Sequence, residues 1–358
     1  MTDWTRRAFV CALTLTLAMV PAASAAAATR KPVELRVMTR NIYLGGDIFR
    51  PIGATDLADF ERRGGELWAE VQGTYFPTRA KLLAREVKQT KPDLIGLQEV
   101  ALWRRGPAGV QDGPATPATQ VVYDFLRTLR RELARAGLRY RLGSRQQETD
   151  IEAPIDAGYD VRLTMFDAIL VKRRPDLRIR RALGTNYDET IGVRTPGSVV
   201  TSTRGWTAVD VTFKRRRLRL VNTHLESFYG PTREAQAREL VAAGGPLDVR
   251  GQKIVTGDMN SDPLGRESDA EAFNILRSGG LVDTWPRRFG PGFTCCLNQS
   301  DARDPDTSGF DHRIDLVMAK PRLRAVRGVV VGDELRDRAA NGLWPSDHAG
   351  AVVTLRLR

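Results

Sequence analysis

The sequence predicts one mixed α/β domain. Short apolar, β-branched runs recur along the whole chain, helical periodicity interrupts them irregularly, and no segment has the composition of an interdomain linker. Strands are predicted at 34–39, 93–98, 166–171, 207–213, 218–223, 253–256, 314–319, 326–331 and 351–357. A helix over 78–89 starts at Pro77-Thr78 and carries a Leu82, Leu83, Val87 stripe. A second, 121–136, aligns Val122, Phe125, Leu126, Leu129 and Leu133 on one face and stops at Gly137. Two more, 233–243 and 269–277, end in Gly244-Gly245-Pro246 and Gly279-Gly280. The segments 104–119, 143–158 and 184–203 read as loop insertions on one scaffold. There is no internal repeat.

The chain opens on a candidate leader. Arg6-Arg7 precede an apolar stretch over 8–20, too short to span a bilayer comfortably, and Ala23-Ser24-Ala25 is a small-x-small cleavage site. Residues 1–25 are therefore expected to be a signal peptide cleaved after Ala25, leaving a secreted, extracellular domain over 26–358. A formal net charge of +12 favours polyanionic partners such as nucleic acid, anionic lipid surfaces or acidic polysaccharides. Basic runs stand at Lys172-Arg173-Arg174 and Lys214-Arg215-Arg216-Arg217, and most other arginines read as solvated surface. Loss of Cys11 with the leader leaves only the adjacent Cys295 and Cys296, so stability must come from a core rather than a disulfide framework. That pair either closes on itself or remains as two thiols.

Chemistry-bearing residues cluster at strand ends, where loops meet on one rim of a sheet. Asn41 follows the first predicted strand, Glu99 the second, His224 and Glu226 a later one, and Asp258 and Asn260 the run 253–256. Asp315 opens another apolar run, and Asp347-His348 precede the last strand. Of three histidines, His224 and His348 sit beside an acid, while His312 reads as a loop residue. Imidazoles and carboxylates at strand ends suit acid–base work on an ester with a hard cation, Mg2+ or else Mn2+ or Ca2+, held by oxygen ligands. No G-x-S-x-G elbow, H-E-x-x-H pair or G-x-x-x-x-G-K-[ST] loop is present, which excludes the corresponding hydrolase, zinc-protease and P-loop chemistries. Alternation along an extended segment would point Asp258 and Asn260 to one side, toward one phosphate.

The ordered series Asn41, Leu97-Gln98-Glu99-Val100, Asn222-Thr223-His224-Leu225, Gly257-Asp258-Met259-Asn260, Arg313-Ile314-Asp315 and Ser346-Asp347-His348 resembles the endonuclease/exonuclease/phosphatase superfamily. The likeness is to a secreted, bacterial-type member of this DNase I-like group. It implies a four-layer sandwich, two mixed β-sheets packed face to face with helices outside, and a metal-dependent phosphoesterase site at one rim. It also implies that Glu99, with Asn41 and Asp347, holds Mg2+. Asp258 would orient or deprotonate the attacking water, and Asn260 would hold the water and phosphate. His348, oriented by Asp315, would contact the scissile phosphate, and His224 would stabilise the charge developing there. Arg204 and Tyr159 resemble the superfamily's phosphate-contacting arginine and tyrosine. Asp160 and Asp167 are equal candidates for a carboxylate partner of His224.

Substrate is less constrained, because the superfamily spans nucleases, sphingomyelinases and phosphatases. Asp311-His312-Arg313-Ile314-Asp315 stands where inositol 5-phosphatases carry tryptophan-cysteine-aspartate-arginine, and no aromatic doublet lies between two predicted strands. Trp68, Tyr75-Phe76, Trp103 and Trp344 could meet lipid if exposed. Positive charge and export favour a monomeric extracellular endonuclease gripping DNA or RNA backbone phosphates. The alternatives are a phosphodiesterase or phosphatase of the same fold acting at an anionic or phosphocholine lipid surface, and a non-catalytic polyanion-binding module.

Overall fold

Adjacent apolar pairs in the strands part company. Val37, Leu94, Leu220 and Ile254 enter one hydrophobic core, whereas their neighbours Met38 and Ile95 enter a second and Val221 and Val255 a third. Successive strand side chains point to opposite faces, so a strand covered on both sides must be apolar throughout. That accounts for the continuous apolar runs.

The computed structural model describes residues 1, 32–109, 118–196, 198–265, 269–298 and 302–357, so the expected leader lies outside them apart from Met1. Val33–Arg358 forms one unit, in this chain order: β1 (Val33–Asn41), α1 (Leu57–Gly73), α2 (Phe76–Thr90), β2 (Leu94–Gln98), β3 (Leu102–Pro107), β4 (Gln120–Asp124), α3 (Phe125–Arg135), β5 (Tyr140–Ile155) and β6 (Tyr159–Lys172). There follow β7 (Leu177–Asn186), β8 (Ile191–Thr195), β9 (Ser198–Ser202), β10 (Gly205–Phe213), β11 (Arg216–His224), α4 (Gly230–Val241), β12 (Gln252–Asp258), α5 (Glu271–Ser278), β13 (Val282–Asp283), β14 (Asp315–Lys320), β15 (Arg324–Val331) and β16 (Gly350–Leu357). One sheet runs β15-β16-β1-β2-β6-β3-β4, with β5 on β6, and the other runs β13-β14-β12-β11-β10-β7. Leu35, Val37 and Ile169 of the first meet Val209, Leu218 and Val317 of the second in the central core. α2 and α3 cover the outer face of the first sheet through Leu83, Val87, Leu129 and Leu133, and α4 and α5 cover the second through Ala237, Leu240 and Leu276. The result is the expected four-layer α/β sandwich.

Four expectations about local structure need correction. The polar segment 143–158 is not a loop, because β5 runs through it and pairs with β6 from Tyr140↔Lys172 to Ile155↔Tyr159. The segment 104–119 begins inside β3, with 110–117 outside the described residues, and 184–203 holds the end of β7 and the β8–β9 hairpin. Residues 121–124 belong to β4, and the helix starts where Asp124 caps it by accepting from the Arg127 amide at 2.9 Å. The sequence reading also missed α1, which buries only Phe60, Trp68 and Val71 and carries Gly64 and Gly65. Those glycines weaken helix propensity, but a Cβ at Gly64 would stand 3.2 Å from Ile155 Cγ2, so this helix packs closely on β5.

Candidate active site

Strand pairing gathers the polar strand ends. Parallel β1 and β2 place Asn41 beside Gln98, and parallel β11 and β12 place His224 beside Asp258. Antiparallel β14 brings Asp315 opposite Asp258, and β16 begins just after Asp347-His348. All of these ends lie on one rim. There Glu99, Arg204, His224, Asp258, Asn260, Asp347 and His348 line a single cleft with Tyr43, Leu44 and Cys296.

Asp258 is the hub. Its Oδ2 accepts from Asn41 Nδ2 at 3.1 Å and stands 3.4 Å from His224 Nε2 and 3.7 Å from His348 Nε2. Burial, then the neighbouring Asp315, raises its pKa to about 6. His348 Nδ1 meets Asp315 Oδ2 at 2.8 Å, so Nε2 faces the cleft. Burial alone would lower the His348 pKa, but Asp315, Asp347 and Asp258 outweigh it and hold the ring well above its ordinary value. His224 goes the other way: burial and then Arg204 push it well below its ordinary value. Arg204 Nη1 stands 3.0 Å from His224 Nδ1, and a guanidinium can only donate, so His224 is neutral with its proton on Nε2.

Glu99 adopts a left-handed backbone, φ 56°, at the end of β2. Such a conformation costs a non-glycine residue roughly 1–3 kcal/mol and concentrates at functional sites. Its carboxylate accepts from Asn41 Nδ2 at 3.0 Å and from the Leu44 amide at 2.8 Å. Asn41 therefore offers its amide group to two acids, while its Oδ1 accepts from the Tyr43 amide at 2.9 Å.

Several expected placements change. Asn260 does not continue an extended strand: β12 ends at Asp258 and Asn260 turns left-handed, φ 46°. Its amide donates to Asp258 Oδ1 at 3.0 Å and its Nδ2 to the Leu225 carbonyl at 2.9 Å, so it buttresses Asp258. Tyr159 opens β6 opposite Ile155, roughly 25 Å of strand from Asp167 at ~3.3 Å per residue, and does not line the cleft. Neither Asp160 nor Asp167 partners His224, since Asp160 accepts from the Gly109 amide and Asp167 from Asn222. Behind Arg204 instead stand Glu148, at 3.8 Å, and Glu226, at 3.7 Å. Glu148 was missed because its strand is too polar to read as one. Cys295 and Cys296 close on each other as a disulfide, each sulfur 3.8 Å from His348 Nε2. His312 stays outside the cleft, bridged to Cys295 through the backbone.

The rim is held by two buried arginines and a polar tie between the sheets, none of them anticipated. Arg40 forms a bidentate pair with Glu86, at 2.9 and 2.8 Å, and also donates to the carbonyls of Asn41 and His348. Arg79, wholly buried, donates to the carbonyls of Ile42, Tyr43, Thr74 and Pro345. Gln98 of one sheet donates to Asn222 Oδ1 of the other at 2.6 Å, and Thr256 donates to the same oxygen at 3.0 Å. A Cβ at Gly96 would lie 2.1 Å from that oxygen, so only glycine lets the sheets approach here.

The acids fit a hard divalent cation. Burial, with Glu99 nearby, lifts Asp347 to about 7 against the pull of His348, and one oxygen of buried Asp315 has no hydrogen-bond partner among the described residues. Glu99, Asp258, Asp315 and Asp347 thus crowd carboxylate oxygens around one cleft, the setting in which Mg2+ binds. Among the described residues, Asp258, Asp315 and His348 form a group with ligand atoms within 4.8 Å of one another. The imidazole is already committed to Asp315, so Glu99 and Asp347 are the better cation holders. Asn41, as oriented, supports Glu99.

A family model described as the endonuclease/exonuclease/phosphatase family matches residues 67–348. Solved structures with the same fold include a family protein from Leptotrichia buccalis C-1013-b, at 16% identity and TM-score 0.56, covering 90% of this chain and 99% of that one. The Bacteroides thetaiotaomicron mannosyl-6-phosphatase is 18% identical, with TM-score 0.52 and coverage of 90% and 99%. The human Nocturnin catalytic domain with bound sulfate is 17% identical, with TM-score 0.51 and coverage of 92% and 95%. No curated protein matches the chain.

Proposed function

The chain belongs to the endonuclease/exonuclease/phosphatase family, a family of phosphoester hydrolases, and from that premise we propose that it is an exported, divalent-cation-dependent phosphodiesterase using an activated water. The observation that carries this reading is the convergence on Asp258 of Asn41, His224 and His348 from three different strand ends. Asp258, raised to about 6, is ionised at neutral pH yet basic enough to take a proton from water. Asn41 and neutral His224 donate toward it and fix its direction. Cationic His348, its Nδ1 held by Asp315, presents Nε2–H to the phosphoryl oxygen that gains charge or to the departing oxygen. A cation held by Glu99 and Asp347, most simply Mg2+, would supply charge neutralisation at the phosphate.

Net charge favours an extracellular endonuclease on DNA or RNA. The distribution of that charge favours the second reading, a phosphodiesterase acting on lipid. Lys214 and Arg215 sit at the β10–β11 turn, the nine-residue length of β11 away from His224, and Arg174 joins Asp93 and Asp176 on that same far rim. Turnover of a soluble diester, bis(p-nitrophenyl) phosphate, should require Mg2+, vanish with EDTA and fall at least ~10^3-fold in Asp258→Asn. Turnover that survives EDTA or Asp258→Asn would remove this mechanism. Nicking of plasmid and hydrolysis of phospholipid vesicles, run side by side, separate the two substrates. Export predicts that protein recovered from culture medium begins at Ala26, read by N-terminal sequencing.

A further inference from the structure

A second cleft, strongly apolar, opens beside the catalytic one. Its floor is the β5–β6 hairpin, with Ile151 and Leu163; α1 closes one side through Phe60 and Leu67, and the β8–β9 hairpin closes the other through Ile191 and Val200. Ile48, Phe49, Met165 and Arg204 line both clefts, so the two are continuous. The space, counted out to bulk solvent, is about 1040 Å³ against about 530 Å³ for the catalytic cleft. A phosphodiester centred on Asp258 must send one of its two ester groups somewhere, and this cleft adjoins it.

The polar groups of the apolar cleft are already engaged. Ser202 Oγ donates to Glu226 at 2.7 Å, Thr149 Oγ1 to the Thr203 carbonyl at 3.0 Å, and Trp103 Nε1 to the Leu44 carbonyl at 2.9 Å. Arg204 is held among His224, Glu148 and Glu226, and among the described residues the unpartnered side-chain atoms of these walls are Trp68 Nε1 and Arg204 Nε, two donors, the second facing the Glu226 carboxylate at 3.7 Å. A nucleobase buried there would lose hydrogen bonds that the walls cannot return. A saturated chain has none to lose. At the mouth, Phe49 and Phe228 stack at 5.6 Å, are 37% and 53% exposed, and stand next to Tyr229, which is 50% exposed. Exposed aromatic rings rimming an apolar cleft suit contact with a lipid interface. Phe228-Tyr229 is an aromatic doublet that joins a strand to a helix rather than two strands.

We propose that this cleft binds one aliphatic chain of a phosphodiester drawn from a lipid surface, entering beside the stacked Phe49 and Phe228 rings. The inference rests on the phosphodiesterase reading and names its substrate class. The test is a series of p-nitrophenyl alkyl phosphodiesters from methyl to decyl, each below its critical micelle concentration, assayed with Mg2+. Each buried methylene should raise kcat/KM about threefold, so that decyl exceeds butyl at least ~100-fold. Ile151→Glu, which puts a carboxylate in the floor, should collapse the decyl-to-methyl ratio toward one; a ratio taken within one protein is insensitive to partial loss of active enzyme. Trp68 and Trp103 give a readout independent of turnover, because 10-bromodecyl phosphate seated in the cleft quenches their fluorescence, and ethyl phosphate should not. A flat chain-length profile with the methyl diester still cleaved overturns the proposal and leaves the phosphodiesterase standing. Failure to cleave any diester refutes the enzyme reading instead, and the proposal falls with it. Absence of quenching overturns the cleft assignment in either case.

Discussion

Replacing Arg40 with methionine tests how the rim is built. The guanidinium is 1% exposed, pairs bidentately with buried Glu86, and bonds the backbone carbonyls beside two active-site side chains. Arg40→Met leaves the Glu86 carboxylate buried without its partner, a change that costs about 3–5 kcal/mol. Against a total of ~5–15 kcal/mol the protein should still fold, with an apparent melting point lower by about 6–12 °C. Adding Glu86→Leu removes the stranded charge and should return most of the stability. Turnover should not return, because the carbonyls of Asn41 and His348 are still released; kcat should stay roughly 10-fold down in both variants. A pH series adds a sign. Burial already raises the Glu86 pKa, and loss of Arg40 raises it further. A carboxyl raised above its unfolded value of about 4.3 contributes stability that is complete below that pH and is lost as pH rises through the folded value. The deficit of Arg40→Met relative to wild type should therefore be smallest near that pH and grow toward neutrality. Urea melts of wild type, single and double variants at several pH values measure this. A double variant as unstable as the single, or a pH-flat deficit, would refute the argument.

Asp258→Asn, expected to abolish turnover, should raise the melting temperature, because it deletes a buried charge facing Asp315; a fall of several degrees would mean that Asp258 holds the rim together instead. Gly96→Ala forces a methyl group onto Asn222 and Thr256 and should lower the urea midpoint by the equivalent of about 1–3 kcal/mol, with an unchanged midpoint contradicting the close approach of the sheets.

The site was legible where sheet physics writes it plainly. A strand buried on both faces is apolar through its middle, so the polar letters that end the run mark the rim: Asn41, Glu99, His224 and Asp258 all stand at such ends. Gln98 and Asn222 belong to the same motifs but tie the sheets together, a role invisible until both sheets are seen. Glu148 lay hidden because β5 is polar along its length and reads as a loop. Tyr159 shows the opposite failure, a plausible residue type whose strand carries it away from the cleft. Arg40 could not be read from local sequence at all, since its carbonyl partner at His348 lies 308 residues further on.

Arg40 and Arg79 also bear on what a charge of +12 can signify. A count treats each arginine as surface available to a polyanion, yet Arg40 faces Glu86 and backbone carbonyls, and Arg79 faces backbone carbonyls and aromatic rings. Burial lowers the Arg79 pKa only to about 10, because Tyr43, Asp347 and Glu99 pull it back up, so it stays cationic; four carbonyls accept from it and the rings of Tyr43 and Phe76 lie 5.1 Å from its charge. Arg204 is spent on His224, Glu148 and Glu226. The visible basic runs lie on the rim opposite the catalytic one. The charge that nominated nucleic acid is thus partly internal scaffold and partly on the wrong side, while the catalytic rim offers buried carboxylates and, next to them, an apolar cleft with exposed aromatic rings at its mouth. On the proposed reading, recognition at this rim comes from apolar contact with the ester group and from a cation at the phosphate, and the alkyl chain-length series, run beside a measurement of binding to DNA, tests that reading directly.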